Sequence, residues 1–342
     1  MKSYEFIELK EEDFDPNTIV QGTPFTQAIF YGKWQEKMNR EVKRFIVKKN
    51  NKKIAYFQII KYKLFFNKSY FYIPYGPITT DITEDFLKAL KDFISKLSKE
   101  NNIVFTRFDF TPSIPENTIQ KFFKKSPKYS YYSAYFQPRL EWFLKLDKSL
   151  DEILMNMHEK TRYSIRLSER KDIKVEIINK DFQKYFDNFY ELMNITAKRN
   201  GFSIHDKQYY QIIFNDLPKI QNSFLSVASF YGKVLAIDLV IPFGGIANYV
   251  FGASSNEERN RMPAYLAQWK AIIESKRIGC THYNFGAITD EKMSKSGWEG
   301  ITAFKKKFGG EEVIHSVFYD HIEQTFWYNL YNFRKIIKRI KL

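Results

Sequence analysis

Residues 304–310 read Phe-Lys-Lys-Lys-Phe-Gly-Gly. Three like charges in a row repel, and a helix splays them around nearly half its circumference while a strand alternates them between its faces. At least one of Lys305, Lys306 and Lys307 is therefore expected to point away from open solvent; the alternative is a solvated face before the turn at Gly309-Gly310. Asp109 lies between Phe108 and Phe110 in a strand-like run, which puts its carboxylate on the face opposite both rings. Such a group can take a proton, or can bond the turn at Thr111-Pro112. Arg162 and Arg166, four apart, share one helix face with Arg170 and make a basic stripe suited to phosphates, or a plain solvated face. His158, His205, His282, His315 and His321 have no metal-ligand spacing, and no Cys or carboxylate completes a set. Gly244-Gly245 and Gly309-Gly310 lack the partners of a phosphate-binding loop. Neither a metal nor a cofactor is implied.

These groups need a scaffold, and the composition provides for one. The chain has 342 residues, 44% hydrophobic and 18% aromatic, enough for two cores and too apolar for large-scale disorder. Fifty-four Lys and Arg against 39 Asp and Glu give a net charge of +15, which favours a polyanionic partner: nucleic acid, a phosphorylated substrate or an anionic membrane face. The single cysteine, Cys280, excludes an internal disulfide and points to a cytoplasmic setting. Apolar runs such as Val234 to Phe243 are far shorter than a bilayer span requires.

The apolar periodicity predicts a hairpin from Arg44–Val47 and Lys53–Tyr62 around Asn50-Asn51, a strand at Phe71–Ile73, a helix over Thr83–Lys99, a strand over Ile103–Phe110 and a helix over Thr118–Phe123. Downstream it predicts helices over Leu150–Glu169 and Phe182–Asn200, strands over Ser223–Phe230, Lys233–Pro242 and Ala247–Gly252, a helix over Pro263–Ile278 and a strand over His282–Phe285. The same order occurs in both halves, so the expected fold is a mixed α/β (α+β) unit present twice. The tail from Ile322 reads as a helix packing Phe326, Leu330, Phe333 and Ile337 on the first domain, with a basic end; a membrane-surface helix is the other reading.

Ten phrases occur in order along almost the whole chain: FTQAIFYGKWQ (25–35), YIPYGPI (72–78), RFDFTP (107–112), FQPRLEWFLKL (136–146), EKTRYSIR (159–166), TAKRNGF (196–202), NYVFGASS (248–255), PAYLAQWKAI (263–272), YNFGAI (283–288) and FKKKFGG (304–310). In these the chain resembles the Fem family of tRNA-dependent peptidoglycan bridge aminoacyltransferases. The resemblance implies tandem GNAT-like acyltransferase domains: residues 1–145 on the acceptor side, completed by the helix in 317–342, and 146–316 on the aminoacyl-tRNA side. It implies transfer of an amino acid from aminoacyl-tRNA to the stem-peptide amine of lipid II or its soluble precursor, UDP-MurNAc-peptide. Phe202 runs directly into SIHDKQYY, so the chain resembles compact members without a coiled-coil arm.

The resemblance also implies roles. Lys305, after Phe304, matches a lysine that faces the aminoacyl ester, with Lys306 and Lys307 then turned to tRNA phosphates along with Arg162 and Arg166. Asp109 matches an aspartate near the acceptor, Lys33 a lysine on the acceptor's phosphates, and Tyr249 and Phe251, expected on one strand face, aromatic positions of the acceptor channel, although paired strand aromatics are more often core than site. Tyr209 matches a nucleotide-binding tyrosine, but His205 stands where the family has arginine. An unperturbed imidazole is mostly uncharged at neutral pH, which favours lipid II as acceptor. Other readings are a non-catalytic RNA-binding or membrane-surface protein on the same fold, and an N-acyltransferase with another acceptor. An acyl-CoA site is disfavoured because no glycine lies between Ser254 and Tyr265.

Overall fold

The computed structural model describes residues 4–10, 14–111, 113–127, 137–289 and 298–340. The chain divides into two units, Met1–Arg139 with Ile314–Leu342, and Leu140–Val313.

The first unit begins with strand β1 (Tyr4–Glu8), helix α1 (Ile29–Lys37), strands β2 (Val42–Lys49), β3 (Lys52–Lys63), β4 (Ser69–Ile73) and β5 (Ile78–Thr79), helix α2 (Glu84–Glu100), strand β6 (Ile103–Asp109), helix α3 (Glu116–Ile119) and strand β7 (Lys124–Lys125). Asn50 and Asn51 both take positive φ, 51° and 61°, the turn geometry that matches the twist of a two-residue hairpin. Thr83 caps α2 by accepting the Phe86 N–H at 3.3 Å, and Phe86, Leu87, Leu90, Ile94 and Leu97 go into the core at the helical spacing read from sequence. After α2 the chain returns as β6, parallel to β4.

The second unit contains β8 (Leu140–Lys145), α4 (Leu150–Met155), α5 (Glu159–Arg170), β9 (Lys174–Ile178), α6 (Phe186–Asn200), α7 (Lys207–Asp216), β10 (Phe224–Phe230), β11 (Lys233–Phe243), β12 (Ile246–Ser254), α8 (Pro263–Arg277), β13 (His282–Ala287), α9 (Glu299–Lys306) and β14 (Glu311–Ile314). Its sheet runs β14-β8-β13-β12-β11-β10-β9 among the described residues. Here too an antiparallel run, β10-β11-β12, is followed by a long helix, α8, and a strand, β13, parallel to the last of the run. The plan of the first unit is thus repeated.

Three expectations need correction. The helix expected over Leu150–Glu169 is two: Ser149 and Glu152 form a capping box that starts α4, and His158 Nδ1 accepts the Lys160 N–H to start α5. The helix expected over Thr118–Phe123 is the single turn of α3, ending at Ile119. The tail forms strand β15 (Phe318–Ile322) before helix α10 (Thr325–Ile340), and α10 buries Tyr328, Tyr331 and Asn332, while Phe326, Phe333 and Ile337 are 71%, 59% and 38% exposed.

The reason lies in a buried charge. β15 pairs antiparallel with β6 and sets Asp320 opposite Arg107. Both side chains are fully buried, joined by two hydrogen bonds of 2.7 Å from Nε and Nη2. A buried pair of this kind needs its remaining oxygen positions satisfied. Tyr328 donates to Asp320 at 2.7 Å and Ser126 donates to the same oxygen, so α10 must turn its tyrosine face inward. Asp320→Ala should cost about 3–5 kcal/mol in urea unfolding by stranding Arg107; the double change Arg107→Met with Asp320→Leu should recover most of that loss.

Candidate active site

The seven residues of the phenylalanine frame form the end of α9 and the turn after it. Phe308 is fully buried, 5.6 Å from the Phe285 ring, and Phe304 stacks edge-on against Tyr265 at 5.0 Å. With these rings fixed, the 100° helical step sends the lysines in different directions. Lys306 lies over the Trp142 ring at 5.4 Å, and the Lys307 carbonyl accepts the His158 N–H at 3.0 Å. Lys305 turns inward. Only 6% of it is exposed, and its Nζ donates to the Ala287 carbonyl at 2.6 Å.

Burial lowers the Lys305 pKa to about 8, against the opposing pull of Glu141. The ammonium is thus still charged at neutral pH, held in a medium that magnifies its field. Glu141 accepts from Asn284 Nδ2 at 3.2 Å, and Asn284 Oδ1 accepts the Gly286 N–H at 2.7 Å. Gly286 has φ +74°, and a Cβ there would lie 3.8 Å from Lys305 Nζ. The glycine both permits the turn and leaves the lysine's flank clear. Glu141 and Asn284 were not singled out in the sequence. A carboxylate within LEWFL and an amide within YNFGA, both in strands, were the available signals.

Three expected acceptor residues come together elsewhere in the second unit. The His205 ring lies 4.1 Å from Tyr209, and Tyr209 and its neighbour Tyr210 meet Phe251 at 6.4 and 5.2 Å. Asp206 caps α7 through the Tyr209 N–H at 2.8 Å and so positions this group. Tyr249 is not part of it. A bulge opposite Leu239 and Val240 leaves Val250 out of the pairing register, which cancels the alternation expected of Tyr249 and Phe251. Tyr249 instead packs against the α8-side core and bonds Asp238. Asp238 is 4% exposed, and burial raises its pKa to about 8.

Arg162 and Arg166 stand on α5, bordering a groove of about 590 Å³ with Tyr163 and Arg170. Arg162 Nη1 also donates to the Met155 and Met157 carbonyls, tying α5 to the end of α4. Arg166 and Arg170 are exposed.

In the first unit Asp109 ends β6 at 1% exposure. It accepts the Tyr72 hydroxyl at 2.6 Å and the Tyr75 N–H, partners from the YIPYGPI segment rather than the following turn. Burial raises its pKa to about 8, although both hydrogen bonds favour the anion. Lys33 is half-buried on α1. Among the described residues no His, Cys, Asp and Glu side chains group for a metal.

Folded carboxyls with raised pKa values keep protons that the unfolded chain loses near pH 4, so their contribution to stability falls as pH rises from about 4 to 8. Asp238→Asn should flatten the stability–pH curve across that window in thermal melts; an unchanged slope would place Asp238 outside the effect.

The FemAB family model matches residues 125–231 and 221–333, more than half of the chain. The lipid II:glycine glycyltransferase of Staphylococcus haemolyticus is 25% identical over 264 residues, covering 56% of this chain and 62% of that protein's length. A protein of the same name from Staphylococcus aureus (strain USA300) is 23% identical over 336 residues, with 74% and 79% covered. The crystal structure of FemX superposes with a TM-score of 0.83 at 19% identity, covering 95% of this chain and 99% of that one. A tandem GNAT protein from the clavulanic acid biosynthesis pathway superposes at 0.55 and 10% identity, with 94% and 98% covered. The fold is therefore a tandem GNAT-like one, of mixed α/β class. With the collinear family match, this chain belongs to the FemAB family.

Proposed function

We propose that the protein is an aminoacyltransferase that moves an amino acid from aminoacyl-tRNA to the stem-peptide amine of lipid II, building the peptidoglycan interpeptide bridge. The observation that carries this reading is Lys305, buried at the end of a helix, with its Nζ on the Ala287 carbonyl and flanked by Gly286. The names of the staphylococcal relatives support it, and the charge of +15 suits two polyanionic substrates.

An aminoacyl ester is already activated, so the protein must orient the amine and stabilise the oxyanion. In the proposed reaction the acceptor nitrogen bonds to the ester carbon, the carbonyl oxygen becomes an anion facing Lys305, and the C–O bond to the ribose then breaks. The departing oxygen takes a proton from the Lys305 ammonium. The amine's proton passes to solvent; Asp109, with a pKa near 8, is mostly protonated at neutral pH and is not assigned the role of base. We assign Phe304 to positioning Lys305 and Lys33 to the acceptor's phosphates. His205, Tyr209 and Phe251 go to the acceptor, Tyr249 is left out because it is turned into the core against Asp238, and Arg162, Arg166, Lys306 and Lys307 go to tRNA phosphates. With histidine at 205, lipid II is preferred to the UDP-linked precursor, which places the work at the inner face of the cytoplasmic membrane.

Purified protein incubated with a pool of charged, radiolabelled tRNAs and lipid II should transfer label to the lipid. Lys305→Ala should lower the rate about 10²–10³-fold with tRNA binding intact; no transfer to lipid II, or to UDP-MurNAc-peptide offered in its place, would sink the reading. A second outcome concerns stability. The folded chain releases the Lys305 proton near pH 8 and the unfolded chain near pH 10.5, so the cost of burying the charge is fully present below pH 8 and fades towards 10.5. Lys305→Met should therefore melt higher than the native chain at pH 7, by up to roughly 3 kcal/mol, and the gap should close by pH 10.5.

A further inference from the structure

Helix α10 is apolar on two opposite sides. One is spent on the core through Tyr328 and Tyr331. The other carries Phe326, Leu330, Phe333 and Ile337, at i, i+4, i+7 and i+11, hence along one stripe. Three of these four are among the exposed large hydrophobic residues of the chain, and Ile336 beside them is 38% exposed.

The stripe continues onto the β3–β4 turn. Phe66, at the tip, is 73% exposed. Trp327 joins the two elements, its ring 6.1 Å from Phe65, 5.8 Å from Phe66 and 5.4 Å from Phe326. Cations border the patch: Lys68 Nζ lies 5.3 Å from the Trp327 ring and the Arg334 guanidinium 4.4 Å from Phe65. Lys68 also lines a neighbouring groove of about 580 Å³ with Arg40, Lys61 and Lys63. The sequence of α10 contains no acid, and Lys335, Lys338 and Arg339 follow Arg334.

We propose that this surface of the first unit, α10 together with the Phe65-Phe66 turn, docks on an anionic lipid bilayer. Aromatic rings with cations packed over them suit the headgroup boundary, where an amphipathic helix buries its apolar face and its Lys and Arg meet anionic lipids. Single-stranded RNA also binds stacked aromatics and cations, but Ile336 and Ile337 extend the stripe with side chains that cannot stack on bases. No helix among the described residues is long and apolar enough to cross a membrane, so the contact is peripheral. The inference deepens the lipid II reading, because an acceptor held in the bilayer requires the enzyme to sit on it.

The test is co-sedimentation of the full chain with phosphatidylglycerol–phosphatidylcholine vesicles, without tRNA or lipid II, beside the exposed-site variants Phe66→Ser and Phe326→Ser/Phe333→Ser. The native chain should pellet with anionic vesicles and much less with phosphatidylcholine alone. The double variant should bind at least about tenfold more weakly, while retaining transfer to a short-chain, water-soluble lipid II analogue. A native chain that stays in the supernatant, or a double variant that pellets like it, overturns the proposal. So does a double variant that loses only tRNA binding, or one that only turns a dimer into a monomer. Vesicle binding without transfer to any acceptor would instead defeat the proposed reaction and leave the docking surface standing.

Discussion

Arg107 and Asp320 are both withdrawn from water, and each is tolerable there only because of the other. Their two short hydrogen bonds hold the C-terminal strand against β6 in the sheet of the first unit. The Tyr328 and Ser126 hydroxyls complete the carboxylate's coordination, which sets the rotation of α10 and thereby decides which of its apolar sides remains open. A helix face, an exposed aromatic patch and the completion of the first unit all follow from one desolvated ion pair.

The same physics, without a partner of equal strength, operates at the candidate site. Lys305 has a carbonyl to bond and the pull of the Glu141 carboxylate, but burial outweighs both and its pKa falls. Asp109 and Asp238 receive hydroxyl hydrogen bonds, and burial again wins, in the opposite direction. All three groups are thereby poised near pH 8, where a small change in surroundings alters protonation. Perturbed groups of this kind concentrate where proton transfer is needed.

Much of the scaffold was legible because local signals agreed with tertiary needs. The Asn50-Asn51 turn, the period of α2 and the period of α8 each named their element directly. The break between α4 and α5 was not legible, since Asn156, Met157 and His158 contain neither proline nor glycine and the helical period runs through them. The sequence does not settle the α10 face because the helix is apolar on both sides, and only its contacts with Asp320 and with Phe105 of β6 choose between them. At the site, three adjacent lysines announced that one must be unusual. Glu141 and Asn284 gave little sign, being ordinary strand residues that meet across 143 positions. The bulge at Val250 was silent as well, and it separated two aromatics that simple alternation had joined.

The order in which the chain is made adds a kinetic dimension to the interleaved units. Arg107 leaves the ribosome 213 residues before Asp320, and between them lies the whole of the second unit, which is continuous in sequence. During that interval the β6 edge is bare beside an unneutralised guanidinium. Synthesis therefore imposes a waiting period on the earlier unit, in which its open strand is exposed to any other extended chain nearby.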